Sequence, residues 1–416
     1  MNETRPVILG YDAVSPLGTE LEDQWDRAAA GESGVAALTR FPLSEGFPVR
    51  IAGEVAPIDV APYPFLRPRE MAHWTSPIFP HALLVVHRAL TRAGLDITPD
   101  LAPRVAVTFS SAIGGLDALV AADRTWVASG KLPQPFMNPN SCINMVGGKV
   151  AIATGATGPI SSIVTACATG SSSLILGALF IAQGMADVAI CGAVDFPLIE
   201  PIVAGFATMN GAYRPKEGEA PLTPGAASCP FSISRRGFVV SEGAGCIVIA
   251  SRKFAQAHGL AYGAELAGWA MTADACHVVA PNPVTVTRCM AESIRHAGIS
   301  PARIDAVNAH AASTKVGDQI EAEALGKIFG ERIPPVSANK SQLGHAMGAT
   351  SAVESILALE GMRRGVLLPT INHRPDPAIS LDCVAEGARR LDQEYVLKNA
   401  FGFGGCNACL VFRRVN

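Results

Sequence analysis

Ala93-Gly94-Leu95-Asp96-Ile97-Thr98-Pro99, with Arg104-Val105-Ala106-Val107 close behind, returns later in the chain as Ala297-Gly298-Ile299-Ser300-Pro301, with Arg303-Ile304-Asp305-Ala306-Val307-Asn308 close behind. Each copy reads as a helix ended by glycine, a short loop and a β-strand. A second echo follows each in the same order. Pro159-Ile160-Ser161-Ser162-Ile163-Val164 leads through Gly170 into an apolar run closed by Gly184-Met185. Pro335-Val336-Ser337-Ala338 leads through Gly348 into another, closed by Gly361-Met362. Those runs, 171–183 and 349–360, are rich in Ala, Leu and Ile and poor in charge, the composition of helices with no face in water.

Two echoes in one order point to a duplicated α/β core. Continuous apolar strands such as Val188-Ala189-Ile190-Cys191 and Ile247-Val248-Ile249 suit a sheet covered on both faces. The halves are expected to be 1–252 and 253–416. The longer first half leaves 30–80 and 205–235 as insertions, read as loops and a cap around a site.

Composition narrows the functional classes. The 416 residues carry 33 Lys+Arg against 36 Asp+Glu, a net charge of −3, so there is no basic footprint for nucleic acid or for an acidic membrane surface. With 49% hydrophobic and 17% charged residues, the chain can bury a large core. Its longest apolar stretches are broken by glycine and fall short of the ~20 residues of a membrane span. Ten cysteines at irregular spacing and a start that does not read as a signal peptide point to reduced thiols and a cytoplasmic protein.

Ile163-Val164-Thr165-Ala166-Cys167-Ala168-Thr169-Gly170 sets one thiol between an expected buried strand and a buried helix. The free N–H groups and positive dipole end of a helix N-terminus favour a thiolate, and the same amides can hold an oxyanion. His310 follows the strand 304–308, and His345 follows Asn339-Lys340-Ser341-Gln342-Leu343-Gly344. Both histidines should lie where the halves meet and where Cys167 points. A thiol, two imidazoles and a lysine suffice for acyl transfer through a thioester. The segment Asn399-Ala400-Phe401-Gly402-Phe403-Gly404-Gly405-Cys406-Asn407 can present backbone N–H groups to a developing negative charge.

Two competing motifs are weaker. Cys406-Asn407-Ala408-Cys409 has CxxC spacing without two further zinc ligands nearby, and Gly147-Gly148-Lys149 lacks the flanks of a phosphate loop. No metal and no organic cofactor is expected.

Together these residues resemble the elongating β-ketoacyl-(acyl carrier protein) synthases of type II fatty acid and polyketide systems, in the thiolase-like superfamily. The resemblance spans nearly the whole chain. Further markers are Ser15-Pro16-Leu17-Gly18, Ala112-Ile113-Gly114-Gly115-Leu116 and Ile143-Asn144-Met145-Val146-Gly147-Gly148. It implies a thiolase-like fold with an α-β-α-β-α layered core, and an acyltransferase that condenses a malonyl thioester with an acyl chain held on Cys167.

By the same resemblance His310 and His345 assist decarboxylation, Lys340 supports them, and the N–H groups of Cys167 and Phe403 form an oxyanion hole gated by Phe403. Thr314, Ile113, Phe401 and Asn407 belong to the substrate side, with Ile113 by the acyl pocket, and Glu354 and Asp318 to the structural support. Acyl carrier protein is the implied partner, in a homodimer or a heterodimer with a chain-length-factor-like subunit.

The chain also departs from the family pattern. Ala311-Ala312 stand where Gly-Thr is usual, Leu9-Gly10-Tyr11-Asp12 replaces Thr-Gly-x-Gly, and Ser232-Ile233-Ser234-Arg235-Arg236-Gly237-Phe238 replaces Asp-x-x-Arg-Asp-Gly-Phe. The last change exchanges an acidic network for a cationic one. These departures bear on carrier or partner specificity and point to a specialised pathway. Two other readings stay open: a different cysteine-dependent acyl transfer, such as thiolysis or O- or N-acylation, and a non-catalytic chain-length partner. The second fits poorly with an intact Cys167.

Overall fold

The computed structural model describes residues 5–215 and 222–415. Its strands are β1 (Pro6–Val14), β2 (Val35–Ala37), β3 (Ile51–Gly53), β4 (Val105–Ser110), β5 (Val188–Asp195), β6 (Gly243–Ser251), β7 (Ala264–Ala273), β8 (Ala306–Asn308), β9 (Val336–Ser337), β10 (Val366–Leu367), β11 (Arg389–Arg390), β12 (Tyr395–Gly402) and β13 (Cys406–Arg414). The helices of the first half are α1 (Leu21–Ala29), α2 (Ile78–Ala93), α3 (Leu116–Ser129), α4 (Met137–Ser141), α5 (Asn144–Thr154), α6 (Thr169–Ala182) and α7 (Glu200–Thr208). Then come α8 (Arg252–Ala257), α9 (Pro283–His296), α10 (Lys315–Phe329), α11 (Lys340–Leu343) and α12 (Met347–Arg364).

Nine strands pair in the order β4-β5-β6-β1-β7-β13-β12-β8-β9. Read outward from the β1–β7 junction, the two sides have the same logic. Two antiparallel pairings are followed by a parallel one, β4 on β5 and β8 on β12. The junction itself is slight, with only Val7 and Ile8 of β1 paired to β7.

Side-chain alternation along the strands makes the layers. Val188, Ile190 and Val194 of β5 pack outward with α2 and α5, whereas Ala189 and Cys191 pack inward with α6 and α12. In β12, Val396 and Ala400 face the same inner core, and Leu397 and Phe401 face the outer core built on α9 and α10. The two buried helices α6 and α12 therefore lie between two sheet portions, each covered outside by its own helices. This is the α-β-α-β-α core expected from the thiolase-like resemblance.

The central helices come together at glycine. A Cβ on Gly170 would lie 2.5 Å from the Ala352 nitrogen, and one on Gly348 would lie 2.9 Å from the Thr169 Cβ. Only hydrogen fits at either point.

One expected element is missing. The stretch 160–165 is not a strand. It meets the sheet at a single bridge, Val107 with Ile160, and the Ile160 and Val164 side chains are 51% and 43% exposed. It lies along the outer edge of β4, where no further strand among the described residues holds it, whereas its counterpart β9 pairs with β8. Of the insertions, 30–80 contains the β2–β3 hairpin, and the part of 205–235 from 216 to 221 lies outside the described residues.

Candidate active site

Cys167 sits in a single 3-10 turn, Ala166–Ala168, that runs directly into α6. Ala166 before it has φ +49°, a left-handed conformation that costs a non-glycine residue energy and turns the next side chain out of the helix path. His345 follows Gly344, with φ +69°, after the short helix α11. Its Nε2 lies 3.1 Å from the Cys167 sulfur, and its Nδ1 lies 3.0 Å from Thr350 Oγ1, a hydroxyl able to accept or donate. His310 completes the group, its ring centroid 5.8 Å from that of His345 at 80° and 5.6 Å from that of Phe401. Phe238 closes the other side of His345 at 5.3 Å.

Beneath the imidazoles lies a dry ionic floor. Glu354 of α12 accepts from Lys340 at 2.9 and 3.1 Å and from Lys398 of β12 at 2.6 Å, all three side chains being 0–1% exposed. Lys340 also donates to the His310 carbonyl at 2.5 Å. Glu321 accepts the N–H groups of His310 and Ala311 at 2.9 and 2.7 Å and the Asn399 amide at 2.9 Å, which fixes the backbone that carries His310. Asp318 accepts from the N–H groups of Phe231 and Thr314 at 2.8 and 3.1 Å, joining the loop at 231 to the rim at 314.

Burial dominates the acid–base behaviour. It pushes the Cys167 thiol up to about 11, and Lys340 and the Phe403 N–H only partly offset it. The expected thiolate is thus corrected to a neutral thiol: the loss of water outweighs the helix end. Burial, with Lys340 and Lys398 adding to it, holds His310 and His345 well below the ordinary imidazole range, so both rings are neutral near pH 7. Burial raises Asp318 to about 7 and Asp195 to about 6. The backbone N–H groups of Cys167 and Phe403 both face the sulfur and favour its anionic form.

A cavity of about 1030 Å³ opens from Cys167, His310 and His345 to solvent, and Ala312, Thr314, Asp318, Phe401, Phe403 and Asn407 also line it. Lys340 and Glu354 lie behind the wall. Ile113 is not among the lining residues; it packs in an apolar cluster with Met347, Leu198 and Phe403, the last of which lines the cavity. Asn407 spends its amide N–H on Asp274 at 2.6 Å and Thr272 at 3.2 Å, so it braces the wall more than it offers a donor to a ligand.

The cationic loop is also corrected in part. Arg235 is neutralised by Asp376 at 2.5 Å and also donates to the Thr314 carbonyl, while Arg236 lines the cavity. Cys406 and Cys409 are three apart on β13 and so face opposite sides of the sheet, Cys409 among the outer core residues. They cannot share one metal.

Three residues of the site escaped the sequence reading. Lys398 carried a signal, an amine amid the apolar Tyr395–Phe401 strand. Asp195, which accepts Ser111 Oγ at 2.5 Å and the Ile113 N–H at 2.9 Å, ends an apolar strand and carried a similar one. Thr350 carried none, because a threonine in a helix announces nothing until its neighbour is known.

A thiol, two neutral imidazoles, a buried amine and converging backbone N–H groups in this double sheet define a condensing-type acyltransferase. Comparison with known proteins places the chain in a family. Residues 4–255 match the family described as Beta-ketoacyl synthase, N-terminal domain, and residues 263–374 its C-terminal domain, and the chain belongs to that family. It is 37% identical, over 100% of both chains, to a 3-oxoacyl-[acyl-carrier-protein] synthase 2 of Coxiella burnetii. Among solved structures it resembles a ketosynthase bound to a hexaketide in complex with its type II polyketide acyl-carrier protein (27% identity, TM-score 0.89, 99% of each chain). The ishigamide ketosynthase/chain length factor is equally similar in shape (29% identity, TM-score 0.89, 99% of each chain).

Proposed function

We propose that this chain elongates acyl chains held on acyl carrier protein by decarboxylative condensation with a malonyl thioester. The observation that carries the reading is the 3.1 Å approach of His345 Nε2 to a Cys167 thiol whose pKa is raised to about 11. A thiol so reluctant to ionise needs a base in contact, and a neutral imidazole is one.

In the loading step the sulfur attacks the acyl thioester, His345 takes the thiol proton, and that proton leaves with the departing carrier thiol. The Cys167 and Phe403 N–H groups hold the oxyanion. In the second step the malonyl group loses carbon dioxide. The enolate oxygen that results is met by an N–H of His310, and by His345 in the tautomer that carries its hydrogen on Nε2 while Nδ1 accepts from the Thr350 hydroxyl, near the Lys340 charge. The enolate carbon then bonds to the acyl carbonyl, the carbon–sulfur bond to Cys167 breaks, and the leaving thiolate takes up a proton from solvent, which restores the thiol. The product is a β-ketoacyl thioester two carbons longer, and no step calls for a metal or an organic cofactor.

Thr314 and Phe401 are assigned to the arm of the incoming thioester, Phe403 to the gate, and Ile113 with its apolar cluster to the acyl chain beyond that gate. Glu354 and Asp318 brace the floor and rim. The functional halves are taken as 1–252 and 253–416, in a cytoplasmic enzyme. The exposed Ile160 and Val164 along the free edge of β4 favour a second subunit there, either another copy or a chain-length-factor-like chain. Intact-protein mass spectrometry with acyl carrier proteins tests the reading. The wild-type chain should gain one acyl group and, with malonyl carrier protein, release carbon dioxide. Acylation that persists in Cys167→Ala would overturn it.

A further inference from the structure

Glu354 is held by two amines, and the reaction just described accounts for one. Lys398 is fully buried on the inward face of β12, donates to Glu354 Oε2 at 2.6 Å and to the Asn399 carbonyl at 2.7 Å, and touches neither the sulfur nor the cavity. A buried amine is costly, and Glu354 would already be paired through Lys340 alone. Replacing the amine by an apolar side chain of similar length would spare the desolvation, so stability does not explain it.

We propose that Lys398 is a positioning residue for decarboxylation: by sharing Glu354 with Lys340 it leaves the floor under His310 and His345 one unit more positive, where the enolate forms. This rests on the reading above. The geometry supports it twice. Lys340 donates to the His310 carbonyl at 2.5 Å as well as to both Glu354 oxygens, and Lys398 competes for Oε2 at the shorter 2.6 Å against 3.1 Å, so the single carboxylate charge is divided between two amines. Through Asn399, whose side chain donates to Glu321 at 2.9 Å, Lys398 also sits at the root of the segment that delivers Phe401 and Phe403.

The charged and titratable groups around the two rings are Lys340, Lys398, Glu354, Glu321, Asp318, Asp195 and Cys167. Burial comes first, Lys340 and Lys398 both hold the imidazoles down further, and His345 does the same to His310. Whatever those acids contribute, deleting Lys398 removes one positive charge from a water-poor site, where a charge acts more strongly than in solution.

The test uses the full chain as wild type, Lys398→Met and Lys398→Gln, and measures acyl loading and carbon dioxide release from malonyl carrier protein separately between pH 5 and 9. The expected result is a folded Lys398→Met protein, because Glu354 keeps Lys340. Carbon dioxide release should fall by about tenfold to a hundredfold, with loading reduced by no more than about threefold. The acidic limb of the release profile should move to higher pH, because the imidazoles lose a cation that kept them neutral. A purely structural lysine would not move that limb. A folded variant with wild-type release and an unmoved limb overturns the proposal. So does loss of the fold in both Lys398→Met and Lys398→Gln, which would assign the lysine to stability. A wild-type chain that loads acyl groups but releases no carbon dioxide would instead sink the condensation reading itself.

Discussion

The turns at 165–170 and 343–348 are the same structural place in the two halves. Counted back from Gly170 and from Gly348, Cys167 and His345 each stand three residues before the glycine, each after a residue with left-handed backbone. The glycines let the two central helices cross near their starts, and the crossing brings the side chains at that position to 3.1 Å. One turn supplies a nucleophile, the other its base. Six residues beyond each glycine the contrast continues, since α12 has Glu354 where α6 has Leu176. α6 carries no charged side chain, whereas α12 anchors the ionic floor. A duplicated scaffold thus delivers symmetry of place, and chemistry arises where the side chains break it.

The strongest break of this pairing is Cys167→Ala, which should abolish the acyl adduct completely, read by intact mass, while thermal melting shows the fold retained. Next in size is pH. Because the thiol is raised to about 11, alkylation of Cys167 by iodoacetamide should be slow at pH 7, climb about tenfold per pH unit as the thiolate fraction grows, and level off only near 11. Rapid alkylation at neutral pH would show that the helix end outweighs burial after all. His345→Ala removes the base from the second turn and should slow acyl loading by about a hundredfold to ten-thousandfold in single-turnover kinetics.

Glu354→Leu makes α12 resemble α6 at this position and strands two buried amines. It should cost about 3–5 kcal/mol in urea unfolding. The smallest effects probe the crossing. Gly170→Ala and Gly348→Ala should each lose about 1–3 kcal/mol, because the added methyl meets the opposite helix. Comparable losses would support equal roles for the two glycines, and a loss at only one would confine the close approach to that half.

Legibility followed the same division. The repeat, the two buried helices, the thiol and both histidines could be read because apolar runs, glycine stops and rare side chains in small-residue loops are local marks. The segment 160–165 has the apolar alternation of a strand, yet beyond β4 no strand among the described residues pairs with it. The ionisation of Cys167 was misjudged because helix-end position is visible in sequence and the depth of burial is not. Ile113 stands in an apolar cluster that shares Phe403 with the cavity lining.

From residue order alone come the duplicated α/β core, the family, the acyl-transfer chemistry and the identities of Cys167, His310, His345 and Lys340. Packing alone decided that Cys167 is a neutral thiol leaning on His345, that Glu354 is shared by two amines, and that Lys398, Thr350 and Asp195 belong to the site. The reason is physical: periodicity and turn chemistry act between near neighbours in the chain, whereas desolvation and charge pairing depend on which distant segments exclude water together.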